Sequence, residues 1–547
     1  MKELENKQLA KRIRESIIET ASEGGFHFSS SLGVVELVIA LYRVFDFEKN
    51  QVVFDVGHQR FPYLMLRDGH FNVPHYEDYS MFIYPGFAGL SAASAEGLSV
   101  NDPENKVIAV IGDGSLTCGE VFESLNNIGA HQSNVLVVLN ENGQSIVDNV
   151  GALSDGKSVR QYAESLKFEY IGTADGHNTE QLVEILEGLK QKKHPVFLHV
   201  ITQKGKGYLH SESNPALYHR PTTSFDVHTG KILPNQDVAK AMMGESLDIL
   251  QKKSLAMLEK GESLYLISPA CPLFPKVAEK YPKNVFDTGI SEQHCMTFST
   301  TLAAKGNKVI CTIIAPFLSR CYSQILDLAH QNAPLVISVP MMGANALGST
   351  HQAVHMLGAL RQIPNLSIVH AINMKEYEML LDEMLEVGKP GILFVPKENV
   401  PCEVVDNYEY GKGFILREGY AATILPIGSM FSIAIQLAEK YEGIEIINPR
   451  YLKPLDLELL FSSIKKTGRL LILEDGLKVG GLGEEVISKI FASMPHVHCK
   501  HIGYTSLFPK YEAYDKAIKE YDFSFVRCMN TLSELLQLEK RGYLKCA

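Results

Sequence analysis

Acidic and amide side chains follow two apolar runs of the sequence at positions where they could bind a metal ion. The run at 107–111 leads into Gly-Asp-Gly-Ser at 112–115, and the run at 135–139 leads into Asn-Glu-Asn at 140–142. A hard cation such as Mg²⁺ takes carboxylate and amide oxygens and keeps its other positions for phosphate oxygens. The pattern therefore predicts a magnesium site that also holds a diphosphate. The candidate metal ligands are Asp113, Asn142 and Gln144.

The glycines beside Asp113 suit a phosphate site, because residues without a Cβ let backbone amides approach a diphosphate closely. Gly-Asp-Gly on its own is more often a simple turn. The spaced Asn142, at the end of the second run, favours a ligand site instead. The candidate cofactor-binding residues of this unit are Gly112, Asp113, Gly114, Ser115 and Asn142.

The elements that position these residues are expected to be strands of a parallel sheet. Short β-branched runs alternate with helical patterns through most of the chain, which is typical of repeated βαβ units. Strand ends of a parallel sheet share one carboxyl edge, where α/β proteins bind ligands. We predict an α/β fold with three domains, each a mostly parallel sheet flanked by helices. The predicted strands are 107–111, 135–139, 196–201, 264–268, 309–314, 335–339, 392–395, 422–425, 444–447 and 470–473.

The predicted domain boundaries lie where the periodic pattern is lost. A chain of 547 residues exceeds the size at which single cores stop growing, about 250–300 residues. Residues 209–236 lose periodicity and gather turn formers, as a linker would. The predicted parts are a first domain at 1–208, a linker at 209–236, a second domain at 237–400 and a third at 401–547.

Composition excludes several classes of function. The 52 Lys and Arg against 63 Asp and Glu leave a net charge of −11 without a basic stripe, so a nucleic acid is not an expected partner. The charged start resembles no export signal, and no apolar run approaches the ~20 residues of a membrane helix. We expect a cytoplasmic protein with no membrane partner. The nine cysteines include no Cys-x-x-Cys pair, so neither a disulfide framework nor a cysteine zinc site is indicated.

Two histidine segments carry a resemblance to a known family. His27 stands in Phe-His-Phe-Ser-Ser-Ser-Leu-Gly at 26–33, and His58 stands in Asp-Val-Gly-His-Gln at 55–59. Both are similar to segments of 1-deoxy-D-xylulose-5-phosphate synthases, members of the transketolase family, and the unit at 112–142 resembles the thiamine-diphosphate motif of that family. Either histidine alone would more often be structural. In this order, the resemblance implies that His27 and His58 are catalytic residues of an active site and that His58 also binds the cofactor.

The same order continues through Asp-Gly-His at 175–177 and Lys-Gly-Lys-Gly-Tyr at 204–208. The resemblance implies that Tyr208 lines the cofactor site and that His219 reaches the substrate.

Glu292, in Asp-Thr-Gly-Ile-Ser-Glu-Gln-His at 287–294, is the candidate for cofactor activation. Thiamine becomes nucleophilic when its aminopyrimidine is held as the imino tautomer, which a carboxyl group hydrogen-bonded to the ring favours. The resemblance places Glu292 in this role. The alternative is an acidic residue that only stabilises the start of a helix.

Four further residues are assigned by resemblance. The segment at 315–320 resembles the one in which a phenylalanine stacks on the pyrimidine, which implies this role for Phe317, although a phenylalanine after a strand is usually core. Thr-His-Gln at 350–352 makes His351 a candidate catalytic residue. Arg320 and Lys397 are the candidate substrate contacts.

The resemblance covers almost the whole chain and implies two cofactors, thiamine diphosphate and Mg²⁺. It also implies a homodimer, and it implies diphosphate-binding, pyrimidine-binding and transketolase carboxyl-terminal domains in chain order. The implied activity is decarboxylation of a 2-oxo acid such as pyruvate and ligation of the two-carbon unit to an aldehyde, as in isoprenoid biosynthesis. The alternatives are two-carbon transfer between sugars, as in transketolase, and a cofactor-binding paralogue with little catalysis.

Several expected pocket residues differ from the family pattern. Phe87 stands for a histidine, Ile314 for a tyrosine and Leu347 for an aspartate. Met341 and Lys397 fall where the family has the arginines that hold a substrate phosphate, and the segment after residue 153 is shorter. We therefore expect an acceptor other than glyceraldehyde 3-phosphate.

Overall fold

The computed structural model describes residues 2–23, 26–71, 86–221, 223–233, 238–345, 349–402, 409–505 and 523–537. The chain forms two compact units. Unit 1 comprises Met1–Gln236 and Asp287–Ser291, and unit 2 comprises Asp237–Phe286 and Glu292–Ala547. Within the described ranges, no helix is both long and apolar enough to cross a membrane.

Unit 1 is built on a five-stranded parallel sheet. The strands are β1 (Val52–Phe54), β2 (Val107–Gly112), β3 (Val135–Glu141), β4 (Glu169–Asp175) and β5 (Val196–Ile201), in the order β1-β2-β3-β5-β4. The apolar runs of β2 and β3 are buried along almost their whole length, as expected of strands with helices on both faces. The carboxyl ends of these adjacent strands therefore lie side by side at one edge.

Ten helices are described in unit 1, and two apolar clusters pack on the two faces of the sheet. They are α1 (Lys2–Glu23), α2 (Ser29–Gly33), α3 (Val35–Val44), α4 (Phe61–Asp68), α5 (Ser91–Asn101), α6 (Asp113–Leu116), α7 (Gly119–His131), α8 (Val159–Ser165), α9 (Thr179–Leu189) and α10 (Leu209–Ser213).

The segment predicted as a linker packs against unit 1. Its Tyr218 and Phe225 are buried in the apolar cluster that contains α1 and α3. The backbone N–H of Phe225 donates to the carbonyl oxygen of Ser22 at 3.0 Å. The described part of this segment, 209–221 and 223–233, therefore contributes to the core despite its aperiodic sequence.

Unit 2 contains two sheets. The first has seven strands in the order β15-β10-β11-β9-β8-β6-β7, and the second has five in the order β12-β14-β13-β16-β17. The first comprises β6 (Leu264–Ser268), β7 (Val285–Asp287), β8 (Lys308–Thr312), β9 (Leu335–Val339), β10 (Ser367–His370), β11 (Gly391–Phe394) and β15 (Tyr451–Lys453). The second comprises β12 (Phe414–Arg417), β13 (Ala422–Ile427), β14 (Ile444–Asn448), β16 (Arg469–Leu477) and β17 (His498–Tyr504).

The helices of unit 2 are α11 (Val238–Glu259), α12 (Pro275–Lys280), α13 (Glu292–Ala304), α14 (Tyr322–Gln331), α15 (Met356–Arg361), α16 (Met374–Val387), α17 (Phe431–Lys440), α18 (Leu457–Thr467), α19 (Leu482–Ser493) and α20 (Phe525–Gln537). Two of them begin with a side-chain cap that satisfies an orphan backbone donor. Asn373 accepts the N–H of Glu376 before α16, and Asp456 accepts that of Leu459 before α18.

The two sheets of unit 2 are joined by strand β15. It leaves the second sheet after β14 and pairs antiparallel with β10 at the edge of the first sheet. A buried ion pair supports this crossing, because Arg450 Nε donates to Glu376 Oε1 at 2.7 Å and both side chains are at most 3% exposed. The predicted second and third domains therefore form one compact unit.

The predicted fold class is confirmed: three sheets with mostly parallel pairing are flanked by helices. All ten predicted strands are present, although the boundaries differ. The strand predicted at 309–314 ends at Thr312, because Ile314 already leads into a 3₁₀ helix at Ala315–Cys321.

Candidate functional site

The carboxylate of Asp113 joins the ends of β2 and β3. Asp113 follows β2 directly, and its Oδ1 accepts the N–H of Gly114 at 2.9 Å. Its Oδ2 accepts the backbone N–H groups of Asn142 at 2.8 Å and Gly143 at 2.7 Å. Burial raises the pKa of Asp113, against the lowering effect of these amide donors. The carboxylate of Asp113 therefore contacts the backbone of the loop after β3, and the convergence of the Asp113 and Asn142 side chains on one metal ion stays a prediction.

The side-chain oxygens around this turn fit a hard cation. Asp113 Oδ1 accepts one hydrogen bond and has lone-pair capacity for a second partner. Asn142 Oδ1 accepts the N–H of Gln144 at 3.2 Å. Gln144 Oε1 is buried and has no hydrogen-bond partner among the described residues. A carboxylate and two amide oxygens, one of them without a partner, are the donor set that Mg²⁺ prefers.

Gly114 allows the two loops to approach each other. A Cβ at this position would lie 2.6 Å from the Cβ of Ser145, so any other residue would push the loops apart. Ser115 is buried two residues after Asp113. Close packing of the two loops therefore explains why the motif has small residues, whether or not a phosphate binds there.

Lys204 is a feature of this loop to which the sequence interpretation gave no role. Its side chain is 4% exposed, and its Nζ donates to the carbonyl oxygen of Ser145. Burial lowers the pKa of Lys204 to about 8, partly offset by the negative charge of Asp113. A cation therefore stands beside the predicted diphosphate loop.

A chain of hydrogen bonds between side chains also holds the loop that follows β3. His199 on β5 is 1% exposed, and its two ring nitrogens contact Glu141 Oε2 at 2.5 Å and the Tyr170 hydroxyl at 2.8 Å. Glu141 directly precedes Asn142 and packs against Gly156, where a Cβ would lie 2.4 Å from the carboxylate. Sequence analysis missed this chain because its members come from three different strands.

The candidate histidines of unit 1 come together although they are distant in sequence. The rings of His27 and His58 are stacked with centroids 3.8 Å apart, and the ring of His219 lies 4.9 Å from His27 and 5.6 Å from His58. Burial lowers the pKa of His219 to about 3, and the charges of Lys204 and Arg220 act in the same direction. The imidazole of His219 is therefore neutral at physiological pH.

The loop that carries Phe87 is fixed by Asp55. Asp55 is buried before His58, and its Oδ1 accepts the N–H of Gly89 at 2.9 Å while its Oδ2 accepts the hydroxyl of Ser91 at 2.7 Å. The replacement of the family's histidine by Phe87 thus falls on a loop whose backbone is held in place.

Tyr208 lies inside the core of unit 1. Its ring belongs to an aromatic cluster with Phe28 and Phe225, and its hydroxyl donates to the carbonyl oxygen of Val227 at 3.1 Å. This environment accounts for the tyrosine structurally, and its predicted contact with a cofactor stays a prediction.

In unit 2, Glu292 is paired with Arg320. Glu292 is the first residue of α13 and is 1% exposed, and its Oε2 accepts the Nε–H of Arg320 at 2.8 Å. The candidate activating carboxylate and one candidate substrate residue are thus partners. Phe317 and His351 also meet, with ring centroids 5.4 Å apart.

Lys397 is engaged within the protein. Its Nζ donates to the carbonyl oxygen of Ala344 at 2.5 Å and to Asp475 Oδ2 at 3.1 Å. The carboxylate of Asp475 is fully buried and also accepts the hydroxyl of Ser429 at 2.5 Å. The charge of this candidate substrate contact is therefore balanced by an internal carboxylate.

The other changed positions are only partly described. Ile314 and Met341 are half-buried, and Met341 adopts a left-handed backbone conformation with φ +70°. Leu347 lies outside the described residues.

Comparison with known families assigns all three parts of the chain. The family described as 1-deoxy-D-xylulose-5-phosphate synthase matches residues 1–161 and 156–202. The transketolase pyrimidine binding domain matches residues 247–403, and the transketolase C-terminal domain matches residues 411–524.

Curated relatives match along most of their length. The chain is 34% identical to 1-deoxy-D-xylulose-5-phosphate synthase 1 of Geobacter metallireducens, with 88% of each chain covered. It is 32% identical to the 1-deoxy-D-xylulose-5-phosphate synthase of Clostridium perfringens strain SM101, covering 89% of this chain and 90% of the relative. The enzyme of that name from Caldanaerobacter subterraneus is 30% identical, with 98% and 97% covered.

Proposed function

Because this chain belongs to the 1-deoxy-D-xylulose-5-phosphate synthase family, it is a thiamine-diphosphate-dependent transferase, and we propose which substrates it uses. The proposed donor is a 2-oxo acid such as pyruvate, which loses CO₂. The proposed acceptor of the remaining two-carbon unit is an aldehyde other than glyceraldehyde 3-phosphate. The observation that carries the acceptor proposal is the internal pairing of Lys397 with Asp475.

We also propose that the cofactor is held through Mg²⁺ at the Asp113 loop. Asp113, Asn142 and Gln144 would hold the ion, and Gln144 Oε1 supports this because it is a buried oxygen with no partner among the described residues. The amides around Gly114 and the ammonium of Lys204 would meet the diphosphate. Thiamine diphosphate, when bound, supplies the nucleophilic carbon that attacks the donor.

Glu292 is the proposed proton-handling group for cofactor activation. Its burial at the start of α13 keeps water away from the carboxyl group, and Arg320 fixes its direction. A carboxyl group in this role must hydrogen-bond to the pyrimidine ring with defined geometry, which a buried side chain held by an ion pair provides. Arg320 is therefore proposed to orient Glu292 rather than to bind the substrate directly.

The histidines are proposed to move protons on the substrate. Burial keeps His219 neutral, so its imidazole is suited to hydrogen-bond a substrate hydroxyl or carbonyl group, while proton transfer is assigned to His27 and His58. His27 and His58 stack within reach of the same point, so a hydroxyl or carbonyl group there would contact more than one ring. His351, which packs beside Phe317, is the corresponding candidate in unit 2.

The internal ion pair explains why a phosphate would bind poorly. Arginine offers a planar, always charged fork to a phosphate, whereas lysine is a point charge. Lys397 already donates to Asp475 and Ala344, so a phosphate would have to displace both and approach a carboxylate. Each lost hydrogen bond to a charged group costs about 1.5–3 kcal/mol, so two or three of them amount to several orders of magnitude in affinity.

The first prediction concerns the metal. Calorimetry should show thiamine diphosphate binding with Mg²⁺ and none in EDTA, and Asp113→Ala should abolish binding because the metal loses its charged ligand. Asp155→Ala, at an exposed turn of the same unit, is the control and should bind normally. Equal binding by Asp113→Ala would refute the metal site.

The second prediction concerns Glu292. Glu292→Gln should keep the fold and much of the cofactor affinity but lose proton exchange at the thiazolium carbon, because an amide cannot exchange the proton. NMR measurement of deuterium incorporation into bound cofactor is the test. Glu259→Gln, an exposed glutamate of unit 2, is the control. Unchanged exchange in Glu292→Gln would move the activation role to another residue.

The third prediction concerns assembly. We propose a homodimer, as the family resemblance implies, and obligate interfaces of this kind bury on the order of 2,000–5,000 Å². Light scattering at micromolar concentration should give twice the mass of the 60.7 kDa chain. A monomer under these conditions would contradict the proposal.

The fourth prediction tests the proposed reaction. With pyruvate and a panel of phosphorylated and plain aldehydes, CO₂ release and mass spectrometry of the product should show ligation, with a non-phosphorylated aldehyde preferred. Product without CO₂ release from sugar donors would favour transketolase-type transfer, and no turnover with any pair would favour a paralogue with little catalysis. The Glu292→Gln variant, which is expected to lose cofactor activation, serves as the negative control for turnover. Glyceraldehyde 3-phosphate as the best acceptor, with kcat/KM of ~10⁴ M⁻¹s⁻¹ or more, would refute the acceptor proposal.

A further inference from the structure

We propose that the imidazoles of His27, His58 and His219 form a binding site for a late first-row transition metal ion such as Zn²⁺. The ion would be separate from the Mg²⁺ at the Asp113 loop. Its occupancy would inhibit turnover, and only this consequence rests on the proposed function.

The ring nitrogens are close enough for a common ion. One nitrogen from each of the three histidines lies within 4.8 Å of the other two. Some point is then no more than about 2.8 Å from all three atoms. Zinc–imidazole bonds are about 2.0–2.1 Å long, so each ring has to move by less than about 1 Å. Because the nitrogen lone pair lies in the ring plane, the stacked rings of His27 and His58 also have to tilt toward a common point, and side-chain rotation supplies both movements.

The burial of His219 points to a ligand at the same place. The side chain is 9% exposed, and its Nδ1 has no hydrogen-bond partner among the described residues. A buried polar atom left unsatisfied costs about 1–3 kcal/mol, and a coordinated metal ion would remove this cost. Three imidazoles with one open position are also the ligand set of known zinc sites.

The backbone that carries His58 and His219 is held in place, so binding requires movement of the side chains alone. The Ser31 hydroxyl donates to the carbonyl oxygen of His58 at 2.8 Å. The N–H of His219 donates to the carbonyl oxygen of Ala216 at 3.3 Å. Preorganised ligands lose little conformational entropy when an ion binds.

The chemistry of the donors separates this site from the magnesium site. Imidazole nitrogens favour Zn²⁺, Co²⁺, Ni²⁺ and Cu²⁺, whereas the oxygens of Asp113, Asn142 and Gln144 favour Mg²⁺. An excess of Mg²⁺ should therefore leave the histidine site available. The positive charges of Lys204 and Arg220 near His219 oppose a second cation and should make binding moderate and reversible.

Cobalt titration of the holoenzyme is the direct test. Co²⁺ is added to protein loaded with thiamine diphosphate and excess Mg²⁺, and the visible absorption of nitrogen-coordinated Co²⁺ is followed. One ion per chain is expected, and His219→Gln and His58→Gln should each weaken binding by at least about tenfold. His131→Gln is the matched control, because this histidine of unit 1 is 66% exposed and lies outside the cluster. Unchanged cobalt affinity in both cluster variants would overturn the proposal.

X-ray absorption on the wild-type zinc complex covers the case in which a variant does not fold. Three imidazole nitrogens at about 2.0–2.1 Å are expected, and a first shell dominated by oxygen, or displacement of the ion by Mg²⁺, would overturn the proposal. Zinc should also stop CO₂ release, and a chelator should restore it. Absence of CO₂ release without zinc would contradict the proposed function, whereas the cobalt and X-ray measurements report on the metal site in either case.

Discussion

The carboxylate of Asp113 is the contact on which the candidate site depends. Parallel pairing brings the ends of β2 and β3 to one edge, but it does not determine how the two following loops meet. The carboxylate of Asp113 fixes how the two loops meet, because it accepts hydrogen bonds from three backbone N–H groups of these loops. These donors favour the charged form of a carboxylate whose burial raises its pKa. The same carboxylate is the proposed metal ligand, so a folding contact and the proposed binding contact coincide in one side chain.

Sequence patterns predicted the fold where the signal is local. The buried strands of unit 1 and unit 2 read as continuous apolar runs, and all ten predicted strands are present. Strand β15 was missed because three residues between two prolines carry no usable periodicity. Strand β4 was missed because it mixes polar and apolar residues, as an edge strand can. Family membership was accessible from motifs, whereas the crossing of β15 between sheets depends on tertiary packing.

The candidate site was predictable to a similar extent. The loop motif around Asp113 is compact, so its chemistry could be inferred from residue types and spacing. The meeting of His27, His58 and His219 was suggested by resemblance, because more than 150 positions separate the second from the third. Partners that neutralise a charge were not predictable at all. Lys397 was interpreted as a substrate contact from its position, and the structure adds a carboxylate from 78 residues further along the chain.

Strand β15 also determines where this polypeptide can be divided. It forms one edge of the seven-stranded sheet, and its neighbour in the sheet, β10, is fully buried. A chain ending near residue 410 would retain the family-matched pyrimidine-binding segment yet leave β10 with unpaired backbone groups on an edge that carries no Asp, Glu, Lys or Arg. Such edges recruit strands from neighbouring molecules, so the truncated protein would tend to aggregate. The end of the family-matched segment at residue 403 is therefore not a position at which this protein can be cut into soluble pieces.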